Sequence, residues 1–364
     1  MTGRNRVVAA ESGPHGRGSP RTSPQACAGP LSSYYDAALL DLDGVVYLGG
    51  TPIAGAAAAL TAAARAGMKL AYVTNNASRT PHGIAGQLVA MGVPATAADI
   101  VTSAQAAAHL LADRLPAGSP VLVVGGAGLR QAVRERGLRP VTSAGVGPLA
   151  VVQGYAPDIS YGLLAEATYA INGGAWYVLS NADPTLPTPR GAAPGNGSLA
   201  QVLIHATGVE PVVAGKPEPP LHTESVQRVG AKRPLVVGDR LDTDIEGAFR
   251  GGTDSLLVLT GVTSPADLLL AAPEHRPPYV SIDLGGLNAS HPAVTAVNGG
   301  FSCGGWTAAL GTGEGWLAVT GGGEWIDALR TLCAAAWTAG PPQGTPQEQR
   351  RAAEIVLAAI GPAR

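Results

Sequence analysis

The chain is poor in cysteine, and it carries neither a marked excess of charge nor a long apolar run. Cys27, Cys303 and Cys333 lie far apart, with no CxxC pair and no zinc-ligand spacing, which favours a reduced, cytoplasmic protein. The formal net charge of −2 provides no basic face for nucleic acid or for an anionic membrane. No run of about 18 or more apolar residues is present, so we expect no membrane span.

Lysine is also scarce, since only Lys69, Lys216 and Lys232 stand among the 24 basic residues. Residues 1–33 are rich in arginine and proline and lack the apolar centre of a secretory signal. We interpret them as a disordered tail or an overlong start, with no function assigned. The composition, with 46% hydrophobic and 14% charged residues, is that of a compact globular protein. A length of 364 residues indicates two or three domains.

The order of the elements predicts an α/β protein with an insertion. Apolar strands such as Ala37–Leu40 alternate with alanine-rich helices, a pattern typical of a parallel sheet. This pattern covers residues 34–103, resumes over 204–285, and is interrupted by a second α/β set at 104–203. The C-terminal residues 286–364 contain glycine-rich, strand-like pieces around 315–319 and two helices, which indicates a small α+β extension.

Polar residues follow several of the predicted strands. Alone, each motif reads as a turn, a helix cap or an exposed loop. Together, in this order, they are unexpected, and the carboxyl ends of parallel strands are where α/β proteins bind ligands. The motifs are Asp41-Leu42-Asp43-Gly44, Thr74-Asn75-Asn76, Gly215-Lys216-Pro217, and Gly238-Asp239 continuing to Asp244.

The residue types in these motifs suit phosphoryl transfer. Asp41 can attack phosphorus to give an aspartyl phosphate, and Asp43 can protonate the departing alkoxide and then activate water. Thr74 and the backbone N–H of Asn75 can hold phosphate oxygens, while Lys216 supplies a fixed positive charge. The sequence therefore predicts a phosphate-ester hydrolase.

The remaining carboxylates predict a metal site beside the nucleophile. Asp41 and Asp239 are hard oxygen ligands suited to Mg²⁺, which takes one or two carboxylates together with substrate phosphate. Asp244 is expected to orient these ligands or Lys216 rather than to bind the metal itself.

These motifs resemble those of the haloacid dehalogenase-like superfamily of Mg²⁺-dependent phosphatases. The stretches Asp41–Tyr47, Gly238–Ile245 and Leu259–Thr263 are similar to the subfamily of phosphoglycolate, glycerol-3-phosphate and 4-nitrophenyl phosphatases and NagD-type nucleotidases. The resemblance covers roughly residues 34–285. It implies a Rossmann-like core with a parallel sheet and an α/β cap at the second of the two insertion points that the superfamily uses (C2 type).

The resemblance also implies roles for single residues. Asp41 would be the nucleophile, and Asp43 the acid/base and a metal ligand through its backbone. Asp239 would bind the metal, and Lys216 would neutralise phosphate. Asn181 and Asp183 match the N-x-D part of a cap loop that lies near the cleft, although Asn-Ala-Asp-Pro also reads as a simple turn.

The C-terminal extension is similar to one found in actinobacterial glycerol-3-phosphate phosphatases, which is related to part of an acetyltransferase fold. It is too short for a complete acetyltransferase and shows no clear pyrophosphate loop. We expect it to serve packing, regulation or the formation of a homodimer.

Several functions remain open at this stage. Glycerol 3-phosphate is the first candidate substrate, 2-phosphoglycolate the second and nucleoside monophosphates the third, a ranking that rests on resemblance. Dehalogenation is disfavoured because Asp43 would have no alkoxide to protonate. A non-catalytic scaffold is disfavoured because every chemical group is present.

Overall fold

The computed structural model describes residues 21–188, 190–311 and 315–362. Its strands are β1 (Ala37–Leu40), β2 (Tyr47–Leu48), β3 (Thr51–Pro52), β4 (Lys69–Thr74), β5 (Ile100–Thr102), β6 (Pro120–Val124), β7 (Arg139–Val141), β8 (Ala150–Gln153), β9 (Trp176–Leu179), β10 (Thr185–Thr188), β11 (Gly191–Pro194), β12 (Val212–Val213), β13 (Pro234–Gly238), β14 (Asp254–Val258), β15 (Tyr279–Ser281), β16 (Thr295–Val297), β17 (Gly300–Cys303), β18 (Trp306–Leu310) and β19 (Leu317–Gly321). Its helices are α1 (Leu31–Tyr34), α2 (Ala56–Arg65), α3 (Pro81–Ala90), α4 (Ser103–Arg114), α5 (Ala127–Glu135), α6 (Tyr161–Asn172), α7 (Asn196–Thr207), α8 (Pro219–Val229), α9 (Glu246–Arg250), α10 (Pro265–Leu269), α11 (Trp325–Ala339) and α12 (Pro346–Ala358).

The largest sheet is parallel and has the strand order β15-β14-β13-β1-β4-β5. β1 lies inside it, and all four of its residues are buried because side chains cover both faces of the sheet. Leu40 packs with Leu60 of α2 on one face, and Leu39 packs with α4 and α8 on the other. The predicted α/β fold with a parallel core sheet is confirmed.

A second parallel sheet, with the order β12-β9-β8-β6-β7, comes from the chain between β5 and β13. The helices α6 and α7 pack on one face through Ala167, Ile171 and Leu203. An antiparallel hairpin, β10–β11, extends from this unit. The core sheet takes strands from both sides of this unit, as an inserted cap requires, while the exact limits 34–103, 104–203 and 204–285 stay a prediction.

The C-terminal residues form an antiparallel sheet, β16-β17-β18-β19, with α11 and α12. The long helix α11 is apolar on most of its surface, and its residues Leu329 and Leu332 pack in one cluster with Leu257 and Val280 of the core sheet. The extension is therefore joined to the core by a continuous apolar interface. The predicted α+β character is confirmed.

The N-terminal region differs from the predicted disordered tail. Residues 21–33 make specific contacts with the core and with the segment that follows it. Arg21 forms an ion pair of 2.6 Å with Asp254, and the backbone of Cys27 exchanges two hydrogen bonds with that of His291. The arginine- and proline-rich composition was misleading here because these partners are distant in sequence. Residues 1–20 lie outside the described part of the chain.

No helix in the described ranges combines the length and apolar character that a membrane crossing needs.

Candidate active site

The loop after β1 directs its two carboxylates differently. The N–H of Asp41 still donates to Val237 O of β13 at 2.8 Å, so this residue extends the strand pairing. The chain then turns at Gly44, whose φ of 87° favours glycine. The Asp41 carboxylate is largely buried, whereas Asp43 is exposed and its Oδ1 accepts a hydrogen bond from Gly49 N–H at 3.2 Å.

The Lys216 ammonium group lies at the centre of the site. It donates to Asp41 Oδ1 at 2.6 Å, to Asp244 Oδ1 at 2.8 Å and to the backbone oxygen of Val73 at 3.0 Å. Its three donor hydrogens therefore hold the ends of three separate segments together. Burial lowers the pKa of Lys216, but Asp244 and Asp41 outweigh this and raise it above its usual value, so the side chain stays charged.

Asp239 follows β13 and is fully buried. Its Oδ2 accepts a hydrogen bond from Val262 N–H at 2.7 Å, while Oδ1 has no hydrogen-bond partner among the described residues. Gly44 and Gly261 flank the carboxylate so closely that an added Cβ would lie 2.4 Å and 2.0 Å from Oδ2. Glycine at both positions thus makes room for Asp239.

Asp41, Asp239 and Asp244 offer carboxylate oxygens that all lie within 4.8 Å of one another. Burial raises the pKa of Asp41 to about 7, and the other two carboxylates add to this against the effect of Lys216. Burial and Asp244 likewise raise the pKa of Asp239 to about 6. The cluster has more negative charge than Lys216 can balance, and its oxygens are of the type that hard divalent cations bind.

Thr74 and Asn75 follow β4 and approach the same place. Thr74 is buried, and its Oγ1 accepts a hydrogen bond from Asn76 N–H at 3.1 Å. The Asn75 carboxamide accepts from Lys216 N–H at 2.9 Å and donates to both Asp183 oxygens at 3.2 Å. One side chain therefore connects the core loop, the lysine loop and the inserted unit.

The loop of the inserted unit is held close to Asn75. Asn181 Nδ2 donates to Asn75 O at 2.7 Å, and Asn181 Oδ1 accepts from Asp183 N–H at 3.2 Å. Gly195 and Gly197 pack against this loop, with hypothetical Cβ positions 2.3 Å from Asp183 O and 2.2 Å from Ala182 O. Burial raises the pKa of Asp183, mainly by removing water from its carboxylate.

The structure brings most of the residues named from the sequence to one edge of the core sheet. Asp41, Lys216, Asp239 and Asp244 are in mutual contact or close approach, and Thr74, Asn75, Asn181 and Asp183 adjoin them. The exposed Asp43 side chain stands apart from the carboxylate cluster. The sequence did not indicate that the Asn75 side chain forms hydrogen bonds with Asp183 of the inserted unit. It also gave no physical signal for the support of Asp239 by Gly261 and Val262, which fall in a segment that was recognised only by resemblance.

Family models match three parts of this chain. The model of haloacid dehalogenase-like hydrolases matches residues 38–139, a second HAD-hydrolase-like model matches 213–287, and a GCN5-related N-acetyltransferase-like domain matches 303–361. The last match confirms the predicted likeness of the extension to an acetyltransferase.

Two curated relatives and one solved structure extend the comparison. The D-glycerol 3-phosphate phosphatase of Mycobacterium tuberculosis is 49% identical over 71% of this chain and 72% of its own length. The 5'-nucleotidase YutF of Bacillus subtilis is 40% identical over 63% of this chain and 89% of its own. The crystal structure of a glycerol phosphate phosphatase from M. tuberculosis in complex with magnesium is 42% identical, with a TM-score of 0.80 over 90% of this chain and 99% of that one. From its matching motifs, its fold and these relatives, the chain belongs to the family of haloacid dehalogenase-like hydrolases.

Proposed function

We propose that this chain is a Mg²⁺-dependent phosphatase that hydrolyses small phosphate monoesters, with glycerol 3-phosphate as its first substrate. The observation that carries the proposal is the meeting of Asp41, Asp239 and Asp244 within 4.8 Å, beside the Lys216 ammonium group. Phosphoryl transfer needs a nucleophile and compensation of charge on the phosphate oxygens, and this cluster offers both.

The donor set fits Mg²⁺. The cluster consists of carboxylate oxygens, one of which, Asp239 Oδ1, is buried without a partner among the described residues. The raised pKa values of Asp41 and Asp239 indicate that a cation would stabilise their charged forms. We assign the metal to the carboxylates of Asp41 and Asp239 and the backbone oxygen of Asp43, with Asp244 supporting them. When bound, the metal neutralises charge on the carboxylates and the substrate phosphate.

The chemical steps are assigned to the two aspartates of the first loop. An oxygen of Asp41 forms a bond to phosphorus as the bond to the alkoxide oxygen breaks, which leaves an aspartyl phosphate. Asp43 gives its proton to the alkoxide and then takes one from the water that hydrolyses the intermediate. Its side chain is exposed and accepts a hydrogen bond from Gly49 N–H, so it is accessible to substrate and water.

The phosphate oxygens are assigned to Thr74, the N–H of Asn75 and Lys216. Lys216 keeps its charge because Asp41 and Asp244 raise its pKa despite its burial. On transfer of the phosphoryl group to Asp41, the ammonium group is already within hydrogen-bond distance of that residue and needs no large movement.

The substrate assignment rests on the relatives. The mycobacterial relative at 49% identity is a D-glycerol 3-phosphate phosphatase, which ranks glycerol 3-phosphate first. 2-Phosphoglycolate is second, and nucleoside monophosphates follow because another relative is a 5'-nucleotidase. Asn181 and Asp183 are assigned to the part of the substrate beyond the phosphate, since both are hydrogen-bonded to Asn75, whose N–H is assigned to the phosphate.

The test is phosphate release from a panel of these esters by the purified full-length chain. We expect the highest kcat/KM with glycerol 3-phosphate, and loss of activity in excess EDTA that returns when Mg²⁺ is added. Full activity in EDTA would contradict the metal assignment. Absence of phosphate release from the whole panel with Mg²⁺ present would contradict the proposed function.

A homodimer and a cytoplasmic location also stay predictions. They are checked by sedimentation velocity of the purified chain and by cell fractionation.

A further inference from the structure

A cavity lies at the edge of the core sheet opposite the candidate active site. The first residues of β13, β14 and β15, which are Pro234, Asp254 and Tyr279, all line it. Because the strands are parallel, these residues mark the amino edge of the sheet, whereas Asp41 and Asp239 follow strands at the carboxyl edge. The cavity encloses about 570 Å³, a volume in the range of small-molecule sites.

The charged residues that line this cavity are mostly basic. They are Arg21, Lys232, Arg233, Asp254 and Arg276. Asp254, the carboxylate of the set, is already paired with Arg21 at 2.6 Å and accepts a hydrogen bond from Tyr35 OH at 2.8 Å. Lys232, Arg233 and Arg276 have no carboxylate within ion-pair distance in the described parts of the chain. Many other arginines of this chain do have one: Arg136, Arg228, Arg240, Arg250, Arg330 and Arg350.

The three cations differ in how firmly they are held. The Arg276 guanidinium donates to Ala271 O at 3.0 Å and to Arg21 O at 3.1 Å, so backbone oxygens fix it without neutralising it. Lys232 and Arg233 are exposed, and their backbone N–H groups are bonded to the Asp36 carboxylate. The cavity thus has one cation held by backbone oxygens and two exposed cations next to the start of β13.

An aromatic surface adjoins these charges. The Tyr34 ring lies 5.4 Å from the Arg233 guanidinium and is 44% exposed. A cation stacked on a ring keeps its charge available to a ligand, because the ring compensates little of it. The same wall therefore offers both charge and apolar contact.

We propose that this cavity binds a small polyanion, a molecule with two or more phosphate or carboxylate charges, through Lys232, Arg233 and Arg276. The site is separate from the phosphatase chemistry, because it lies at the other edge of the sheet and shares no residue with the carboxylate cluster. Guanidinium and ammonium groups are the side chains that bind phosphate and carboxylate most strongly.

The test is isothermal titration calorimetry of the full-length chain with sulfate and, separately, citrate, at low ionic strength and without added divalent metal. Sulfate stands for a phosphate group and citrate for a polycarboxylate. We expect the double variant Lys232→Ala/Arg233→Ala to bind the preferred anion at least about tenfold more weakly than the wild type, a change of about 1.4 kcal/mol. The preferred anion identifies the chemical class.

Arg65→Ala is the matched control, because it removes an exposed cation of α2 that does not line the cavity. It should keep wild-type affinity. Any sulfate binding beside Lys216 would be the same in all variants. It therefore does not affect the difference in affinity between the wild type and the double variant. Equal affinity of the wild type and the double variant for both anions would overturn the proposal, as would an equal loss in Arg65→Ala or no binding of either anion. Both substituted side chains are exposed, and circular dichroism checks the fold.

Discussion

At the scale of single residues, charge balance decides what the carboxyl edge of the core sheet can do. One ammonium group, that of Lys216, faces the three carboxylates of Asp41, Asp239 and Asp244. Burial removes the water that would otherwise screen their repulsion, so the pKa values of Asp41 and Asp239 rise. The repulsion among the three carboxylates destabilises the charged cluster when no cation is bound. The arrangement is therefore suited to binding a cation and a phosphate ester.

Replacement of Asp41 by asparagine tests the proposed nucleophile. The amide keeps the size of the side chain but cannot attack phosphorus, so we expect Asp41→Asn to lower kcat by roughly 10³-fold or more. The fold should persist, because no core side chain changes. Phosphate release and thermal unfolding of the purified variant measure the two effects.

The control for this change is Asp113→Asn, which removes an exposed carboxylate on α4. It should retain wild-type turnover. Phosphate release by Asp41→Asn within tenfold of the wild type would show that another group attacks phosphorus.

The Asn75 side chain supports a second prediction at this scale. In Asn75→Ala, the N–H of Lys216 and the carboxylate of Asp183 both lose a partner. An unpaired polar group costs about 1–3 kcal/mol when fully buried and less when partly buried, as here, so we expect a lower melting temperature and a kcat/KM reduced by about tenfold or more. Steady-state kinetics and thermal unfolding provide the readouts.

Asn288→Ala separates the two effects, because it removes a hydrogen bond, from Asn288 Nδ2 to Ala59 O at 2.9 Å, that lies outside the candidate active site. It should lower the melting temperature without changing kcat/KM. Unchanged kinetics in Asn75→Ala would mean that the hydrogen bonds of Asn75 to Lys216 and Asp183 have no part in substrate turnover.

At the scale of elements, burial on both faces made the core strands predictable. Ala37–Leu40 forms a strand with the predicted bounds. Such strands are short apolar runs with polar residues at their ends. The hairpin β10–β11 was missed because its prolines and small residues read as a loop. β16 was missed for a related reason, since all its residues are exposed and no apolar alternation marks it.

The contact of α11 with the core sheet leads to a prediction about stability. Leu332 is fully buried in the cluster that joins α11 to Leu257 and Val280. We expect Leu332→Ala to lower the free energy of unfolding by about 2–5 kcal/mol, because it leaves a cavity in this interface. Below the unfolding transition, kcat/KM should stay at the wild-type value, since α11 contributes no residue to the carboxylate cluster. Denaturant unfolding and phosphate release check the two parts. Loss of kcat/KM in a folded Leu332→Ala protein would indicate that the extension shapes the site.

At the scale of the whole molecule, contacts between distant segments escaped the sequence. Asn75 meets Asp183 across 108 positions, and Arg21 meets Asp254 across 233. No local pattern marks such a pair, because each residue alone reads as an ordinary loop or surface residue. The four polar motifs at strand ends were predictable for the opposite reason, since each follows a recognisable strand or glycine turn. The sequence thus predicted which residues lie at the carboxyl edge of the core sheet. It did not predict the side-chain contacts that connect segments distant in sequence.

His291 connects its own loop to the N-terminal segment and to α11. Its backbone exchanges hydrogen bonds with Cys27, its Nε2 lies 2.9 Å from Gly286 O, and its Nδ1 lies 3.3 Å from the Arg330 guanidinium of α11. This geometry requires a neutral ring, in which Nε2–H donates and Nδ1 accepts. Burial lowers the pKa of His291, and Arg330 adds to this, although the bond to Gly286 and the nearby Asp327 act in the opposite direction.

The lowered pKa predicts how the stability of the whole chain depends on pH. A histidine whose pKa is lower in the folded state binds protons more readily when the chain unfolds. The contribution of the neutral His291 ring to the free energy of unfolding is therefore fully present above the pKa of about 6.5 that a histidine has in the unfolded chain. It is lost as the pH falls below that value. We expect the free energy of unfolding to decline from about pH 6.5 downwards, and His291→Gln, which cannot titrate, to show a flatter decline. His82→Gln, at an exposed position of α3, should follow the wild-type profile. Denaturant unfolding at several pH values measures this, and parallel profiles for the wild type and His291→Gln would contradict it.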